Sequence, residues 1–214
     1  MFDPDLNPYV TKMEQHRDII KTLPLETNKD FFDFVKTDAP LIVDLGCGAG
    51  NFLRDYAMQK PDARFVGFEL RFKRLVKGAV KFKKRDIDNI KLVQARAEDI
   101  ADWLPEKAVS EIYVNFPDPW PKKKHHKHRL ISQQFLKNVY KLLSDDGNFT
   151  FKTDHWDYFT YAAEQVKNCP YLHVKEYSED LHNSKYNDTN ILTEFESLFK
   201  GKGFPVYYLK TDKC

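Results

Sequence analysis

From Leu41 onward the chain alternates short apolar segments with amphipathic ones, and this alternation limits its fold more than any other feature. Leu41–Leu45 (LIVDL) is a continuous apolar run with one acid, the pattern of a strand buried on both faces. Further strands are predicted at Arg64 to Glu69, 90–95, 111–115, 148–153, 172–177 and 206–209. Helices are predicted over Asn51–Gln59, 71–85, 130–143, where Asp146-Gly147 is read as the stop, and 158–166. Strands and helices in alternation make an α/β fold, a mostly parallel sheet with helices on both faces, whose ligands bind at the carboxyl ends of the strands. The length of 214 residues suits one domain. Residues 1–39 read as a polar lead-in with one helix over 10–23, and 40–214 as a single domain.

Lys and Arg number 34 against 32 Asp and Glu, a formal charge of only +2. That total alone points away from a polyanion partner, but the charges are not evenly spread. Residues 71–85 hold eight basic side chains and no acidic one, with apolar residues at three- and four-residue spacings, as in an amphipathic helix with a basic outer face. Residues 122–129 (KKKHHKHR) add five permanent cations and three histidines. Two positive stretches in a near-neutral chain form the electrostatic footprint of a nucleic-acid binder, although the first is equally a solvated helix face. No apolar run approaches the roughly 20 residues of a membrane span. Three scattered cysteines (Cys47, Cys169, Cys214) and a charged start without a signal peptide lead to the expectation of a reducing, cytoplasmic setting.

Gly46, Gly48 and Gly50 follow the first strand and open a helix, so the backbone there can turn tightly and approach a ligand closely. A dinucleotide loop reads G-x-G-x-x-G with pyrophosphate at the helix N-terminus. Here the third glycine comes one residue early, and the carboxylate of Asp44 would repel pyrophosphate. An acid suits a cofactor carrying an ammonium and a sulfonium. Glu69, ending the second strand, is placed to accept from both ribose hydroxyls. The loop therefore matches S-adenosylmethionine better than NAD. Cys47 has no partner in the sequence for a nucleophilic role and reads as a small loop filler.

The fourth strand runs into Phe116-Pro117-Asp118-Pro119-Trp120-Pro121. Proline fixes its own φ and holds the preceding residue extended, so Asp118 is clamped between two rings. Such stiffness serves a loop that must aim a carboxylate. The lysines that follow bring a phosphate-binding surface beside it, and they disfavour a metal at His125, His126 and His128.

The segment from Asn115 to Arg129 is similar to the hallmark loop of the bacterial tRNA (guanine-N7-)-methyltransferases. Lys152-Thr153-Asp154 and Thr193-Glu194-Phe195-Glu196 continue the resemblance, which runs from about Leu41 to about Leu209. Leu181-His182-Asn183-Ser184 resembles a segment found in part of that family. The resemblance implies a Rossmann-like class I methyltransferase fold with a seven-stranded sheet, and transfer of a methyl group from S-adenosylmethionine to N7 of a tRNA guanine, expected in the variable loop. It implies Asp118 as the catalytic residue, which also lies near the cofactor, with Asp44, Gly46, Gly48, Gly50, Glu69, Arg96 and Ala97 binding the cofactor. Lys122, Asp154, Thr193, Glu194, Phe195 and Glu196 are its substrate residues. Lys124, His125, His126, Lys127, His128 and Arg129 would contact the RNA backbone. No metal is implied, the partner is tRNA rather than a membrane, and a monomer and a homodimer are both open.

The chain departs from the family at Ala95-Arg96-Ala97-Glu98, where an acid or Asn usually stands near the adenine; Arg96 cannot accept a hydrogen bond, so Glu98 is the alternative. Asp44 stands in place of the common Glu and His128 in place of the common Arg, and residues 1–39 lack an Arg-rich arm. Asp154 also reads as an N-cap for the following helix. Two other functions compete. One is methylation of an exocyclic base amine, since residues 115–120 distantly resemble the Asn-Pro-Pro-aromatic loop. The other is a non-catalytic RNA-binding module on the same fold.

Overall fold

The computed structural model describes residues 8–200 and 203–214; residues 1–7 of the lead-in lie outside the described residues. The chain divides into two compact units, one ending at Trp103 and the other beginning at Leu104.

In the first unit α1 (Pro8–Glu14) is followed by β1 (Ile20–Lys21), α2 (Lys29–Val35) and β2 (Leu41–Leu45). Next come α3 (Asn51–Gln59), β3 (Arg64–Phe68), α4 (Phe72–Lys83), β4 (Ile90–Val93) and the short α5 (Ile100–Trp103). The strands lie in the order β1-β4-β3-β2, all parallel. Leu41 to Leu45 are all buried and pair with Arg64 to Phe68 in step, which sets Asp44 opposite Gly67. On α4 the buried residues Leu75, Val76, Gly78, Ala79 and Phe82 trace one helical face, as the spacing predicts.

The lead-in differs from its expected form. The helix predicted over 10–23 ends at Glu14, and the chain then turns, Ile20 N–H donating to His16 C=O at 2.7 Å. Ile19 and Ile20 are buried, and Ile20 and Lys21 pair with Leu92 and Val93 as the outermost strand. An apolar pair at a strand has the same local appearance as one turn of an amphipathic helix, so periodicity over so short a run does not separate them. This strand is the one beyond the seven expected: among the described residues there are eight, four in each unit.

The second unit comprises β5 (Val109–Asn115), α6 (Gln133–Leu142), β6 (Leu143–Thr153), α7 (Trp156–Lys167), β7 (Leu172–Ser178), α8 (Glu194–Lys200) and β8 (Tyr207–Lys213). Their order is β5-β6-β8-β7: β5 and β6 run parallel, and β8 is antiparallel to both β6 and β7. Asp146-Gly147 does not stop α6, which ends at Leu142, but lies within β6. Gly147 is small for a packing reason, since a Cβ there would stand 2.8 Å from the Val109 carbonyl oxygen. Among the described residues no helix is long and apolar enough to cross a membrane.

Candidate active site

The glycine loop sits over the end of β3. The N–H groups of Gly46 and Cys47 both donate to the Phe68 carbonyl, at 2.8 and 2.9 Å, and Gly50 N–H closes the turn onto Cys47 C=O at 2.9 Å. All three glycines have positive φ, from 58 to 82°, a region costly for residues with a Cβ. They differ in what surrounds them. A Cβ on Gly50 would meet the Phe82 ring at 2.5 Å, whereas one on Gly46 would meet nothing within 4 Å. Gly50 is thus required by packing, and Gly46 borders open space.

Two carboxylates flank this loop. Asp44 is 2% exposed at the end of β2, and Glu69, following β3, is nearly as buried. Glu69 Oε1 accepts from Arg71 N–H at 2.9 Å, and its Oε2 lies 3.8 Å from Arg74 Nη1. Burial, then the charges of Asp44 and Glu69, push the Cys47 thiol well above its ordinary range, which suits a packed filler and not a nucleophile. The same two charges create a negative field at the glycine turn, and open space there with that field fits a cationic cofactor such as S-adenosylmethionine. The basic face of α4 is partly used internally: Lys81 Nζ donates to the Ala49 carbonyl at 2.8 Å, and Lys83 pairs with Asp18 at 2.9 Å. Lys73, Lys77, Lys84 and Arg85 remain exposed.

In the second unit the parallel pairing of Asn115 with Lys152 brings the carboxyl ends of β5 and β6 side by side, and Phe116 N–H donates to Lys152 C=O at 2.8 Å. Each strand delivers an aspartate just beyond its end, Asp118 and Asp154. Both are exposed, and among the described residues neither has a hydrogen-bond or ion-pair partner. The loop bearing Asp118 is tightly shaped: Phe116 and Trp120 each precede a proline, yet both stand at positive φ instead of the extended form expected there, whereas Asp118 is not among the positive-φ residues. The cap of α7 is His155, whose Nδ1 accepts from Tyr158 N–H at 3.3 Å. Asp154 is therefore not spent on the cap the sequence allowed it.

Lys123–His128 forms a 3-10 helix beside this loop. Trp120 packs edge-on to His125 at 5.8 Å and against His128 at 5.2 Å. Lys122, Lys123, Lys124 and Lys127 are exposed, with no acidic partner among the described residues. Four unpaired cations beside two unpaired carboxylates make a surface for a ligand that carries phosphates and also hydrogen-bond donors.

Comparison with known proteins decides the family. The model of a family described as "Putative methyltransferase" matches residues 38–209. A tRNA (guanine-N(7)-)-methyltransferase of Bacillus licheniformis is 33% identical over 201 residues, covering 94% of this chain and 93% of that one. Its counterpart in Lachnoclostridium phytofermentans is 36% identical over 170 residues, 79% of each chain. The chain belongs to the tRNA (guanine-N7-)-methyltransferase family. A bifunctional glycosyltransferase/methyltransferase of Fusobacterium nucleatum is 40% identical over 177 residues, 83% of this chain, but the match spans only 27% of that longer protein. Among solved structures, an antibiotic-related methyltransferase superposes with a TM-score of 0.64 at 17% identity, covering 89% of this chain and 95% of that one. A 16S rRNA methyltransferase does so with 0.64 at 16%, covering 87% and 94%. These likenesses carry the Rossmann-like class I methyltransferase fold.

Four of the residues expected at the site, Glu196, Thr193, Arg96 and Arg129, are buried or engaged with other residues of the chain. Glu196, expected on the substrate, is completely buried. It takes hydrogen bonds from Lys152 Nζ (3.0 Å), Thr193 N–H (3.0 Å) and Asn190 Nδ2 (2.8 Å), while Thr193 Oγ1 accepts from Glu196 N–H at 3.1 Å. Thr193-x-x-Glu196 is thus a capping box at the start of α8, a spacing that is itself visible in the sequence. Thr193 is buried with it, whereas Phe195 is 47% exposed and packs on Phe116 with ring centres 6.1 Å apart. Arg96 is exposed and donates to Glu98 at 3.0 Å. Burial raises the Glu98 carboxyl, but the Arg96 hydrogen bond, a backbone hydrogen bond and the Arg96 charge together outweigh it, and the net shift is downward. Arg129, expected at the RNA backbone, is only 4% exposed. Lys152 has no role that the sequence alone assigns; a lysine inside the predicted strand 148–153 is the available signal.

Proposed function

We propose that this methyltransferase carries a methyl group from S-adenosylmethionine to the N7 ring nitrogen of a guanine in tRNA, the variable-loop guanine being the expected target, and that residues 40–214 act as one catalytic domain in the cytoplasm. The observation that carries the reading is the pair of exposed, unpartnered carboxylates, Asp118 and Asp154, at adjoining strand ends beside the unpaired lysines.

Guanine N7 already bears a free lone pair. No proton has to be removed before it attacks, so the residues need only orient the base and exclude competing geometries. The opposite edge of guanine offers a ring N–H and an amine, both donors, and carboxylates are the complementary acceptors. Asp118 and Asp154 take that task, while Glu196, already accepting from three donors, orders the Thr193 segment. When bound, S-adenosylmethionine supplies an electrophilic methyl on a sulfonium; Asp44 and Glu69 hold its ammonium and ribose, with Ala97 N–H available to the adenine. Lys122, Lys123, Lys124 and Lys127 hold phosphates, which positions RNA without specifying its sequence.

Incubation with methyl-labelled S-adenosylmethionine and unmodified tRNA, followed by borohydride and aniline treatment, tests this. Chain scission at a labelled guanine is the expected result. Label on an exocyclic amine overturns the N7 assignment, and tRNA binding without label favours the non-catalytic module.

A further inference from the structure

Arg129 joins the loop that carries Asp118 to the helix that follows β6. Its Nε donates to the carbonyl of Pro119, the residue after Asp118, at 2.9 Å, and its Nη1 donates to the Asp157 carbonyl in α7 at 3.3 Å. The guanidinium carbon lies 5.0 Å from the ring centres of both Tyr158 and Tyr161. Tyr158 is itself fixed, fully buried with its hydroxyl accepting from Ile131 N–H at 3.3 Å. The last nitrogen, Nη2, makes no hydrogen bond among the described residues and is shielded from solvent.

These interactions matter because of where Pro119 sits. The two prolines restrict rotation within Pro117-Asp118-Pro119, but they do not fix the loop relative to the sheet. Asp118 has no partner of its own among the described residues to do so. The Pro119 carbonyl adjoins Asp118 in the chain, and Arg129 ties that carbonyl to the α7 backbone. A planar fork packed between rings can hold two separate carbonyls at once, which a lysine ammonium cannot reproduce.

We propose that Arg129 is a positioning residue for Asp118 and not an RNA contact: it fixes the Asp118 loop to the first turn of α7, and thereby to the end of β6, where Asp154 emerges. The proposal rests on the methyltransferase reading above. It assigns a member of the basic run to the geometry of the reaction, and it separates Arg129 from Lys122, Lys123, Lys124 and Lys127.

The test compares wild type with Arg129→Lys, which keeps the charge and aliphatic stem, with Arg129→Met, and with Tyr161→Leu, which removes one ring face and keeps both hydrogen bonds. Steady-state kinetics on tRNA, tRNA affinity as a function of salt, and thermal melts are measured for each. Expected are a fall in kcat of about 10-fold for Arg129→Lys and about 100-fold for Arg129→Met, the scale of a misplaced reacting group. Tyr161→Leu should show a smaller loss, and the tRNA KM and the salt slope should stay at wild-type values in all variants that melt above the assay temperature. An unchanged kcat in Arg129→Lys and Tyr161→Leu overturns the proposal. So does a salt slope shallower by about one unit with kcat retained, the signature of a cation removed from a phosphate. A wild-type enzyme that makes no 7-methylguanine overturns the reading of function beneath it, a result seen before any variant is compared.

Discussion

Lys152 and Glu196 form an ion pair at 3.0 Å with side chains only 2% and 0% exposed. The pair joins β6 to the first turn of α8; Asn190 and the Thr193 N–H also donate to the carboxylate, and His182 Nε2 lies 4.0 Å from its Oε1. Removing one member of such a pair leaves the other charge buried alone. Lys152→Met is therefore expected to lower the unfolding free energy by about 3–5 kcal/mol. Adding Glu196→Gln, whose amide oxygen in the Oε2 place still accepts from Thr193 N–H while its NH2 takes the Oε1 place and can donate to the Asn190 amide oxygen once that side chain flips, should restore part of that loss. Urea unfolding of the single and double variants measures both; a single-variant loss below about 1 kcal/mol contradicts the buried-pair account.

The glycines of the cofactor loop should separate into two classes. Gly50→Ala forces a methyl group into the Phe82 ring and is expected to destabilise the fold by about 1–3 kcal/mol from overpacking, beyond the cost of positive φ. Gly46→Ala meets no neighbour and should cost only about 1 kcal/mol of folding while weakening S-adenosylmethionine more strongly. Melting curves paired with calorimetric titration of the cofactor distinguish them, and equal effects on both readouts for the two variants would contradict the difference in surroundings.

Asp154 is exposed and unpartnered among the described residues, so Asp154→Asn should leave stability within about 0.5 kcal/mol. Loss of a charged acceptor to guanine should lower kcat/KM by about 10- to 100-fold, corresponding to a charged hydrogen bond of about 1.5–3 kcal/mol. Wild-type kinetics in this variant would remove Asp154 from the substrate site.

Sequence and structure agree where a pattern is long or chemically constrained. The α4 face, the glycine turn and the proline-clamped Asp118 loop are all legible, because burial on one face, positive φ and ring-fixed φ each leave a mark in residue type. What is not legible depends on partners distant in sequence. Nothing near Arg129 announces that its guanidinium will lie between Tyr158 and Tyr161, and Glu196 reads as a free acid until Lys152, 44 residues away, is placed beside it. The capping box is visible in Thr193-Glu194-Phe195-Glu196, but the same four letters serve a substrate site equally well.

Substituting Lys122, Lys123, Lys124 or Lys127 by Ala should weaken tRNA binding evenly across sequences and reduce the steepness of its salt dependence by roughly 0.7–0.9 for each phosphate left without its cation. S-adenosylmethionine affinity should change far less. Filter binding over a range of potassium chloride concentrations measures the slope; an unaltered slope in all four variants would remove these lysines from the RNA surface.

Burial, then the nearby Lys83 ammonium, holds the His16 pKa below its usual 6.5, although Asp18 opposes them. In the unfolded chain His16 takes up its proton near 6.5, and in the folded chain only at lower pH. Below 6.5 the unfolded state binds more protons, so this contribution is fully present above 6.5 and is lost as pH falls through the folded value. Unfolding free energies of His16→Gln should fall less between about pH 7 and about pH 5 than those of wild type. A decline as steep as that of wild type would show that His16 is not responsible.

The two-residue strand β1 has a consequence for how the chain behaves among its own copies. Ile20 and Lys21 cover the outer side of β4, Leu92 N–H donating to Ile19 C=O at 2.9 Å and Gln94 N–H to Lys21 C=O at 2.8 Å. A chain trimmed to begin at residue 38, where the family match starts, would keep every residue assigned here to cofactor or guanine. It would also leave β4 with a row of bare N–H and C=O groups flanked by apolar side chains, a template for strand-to-strand aggregation. The lead-in thus closes an edge of β4 that would otherwise be open to strand pairing.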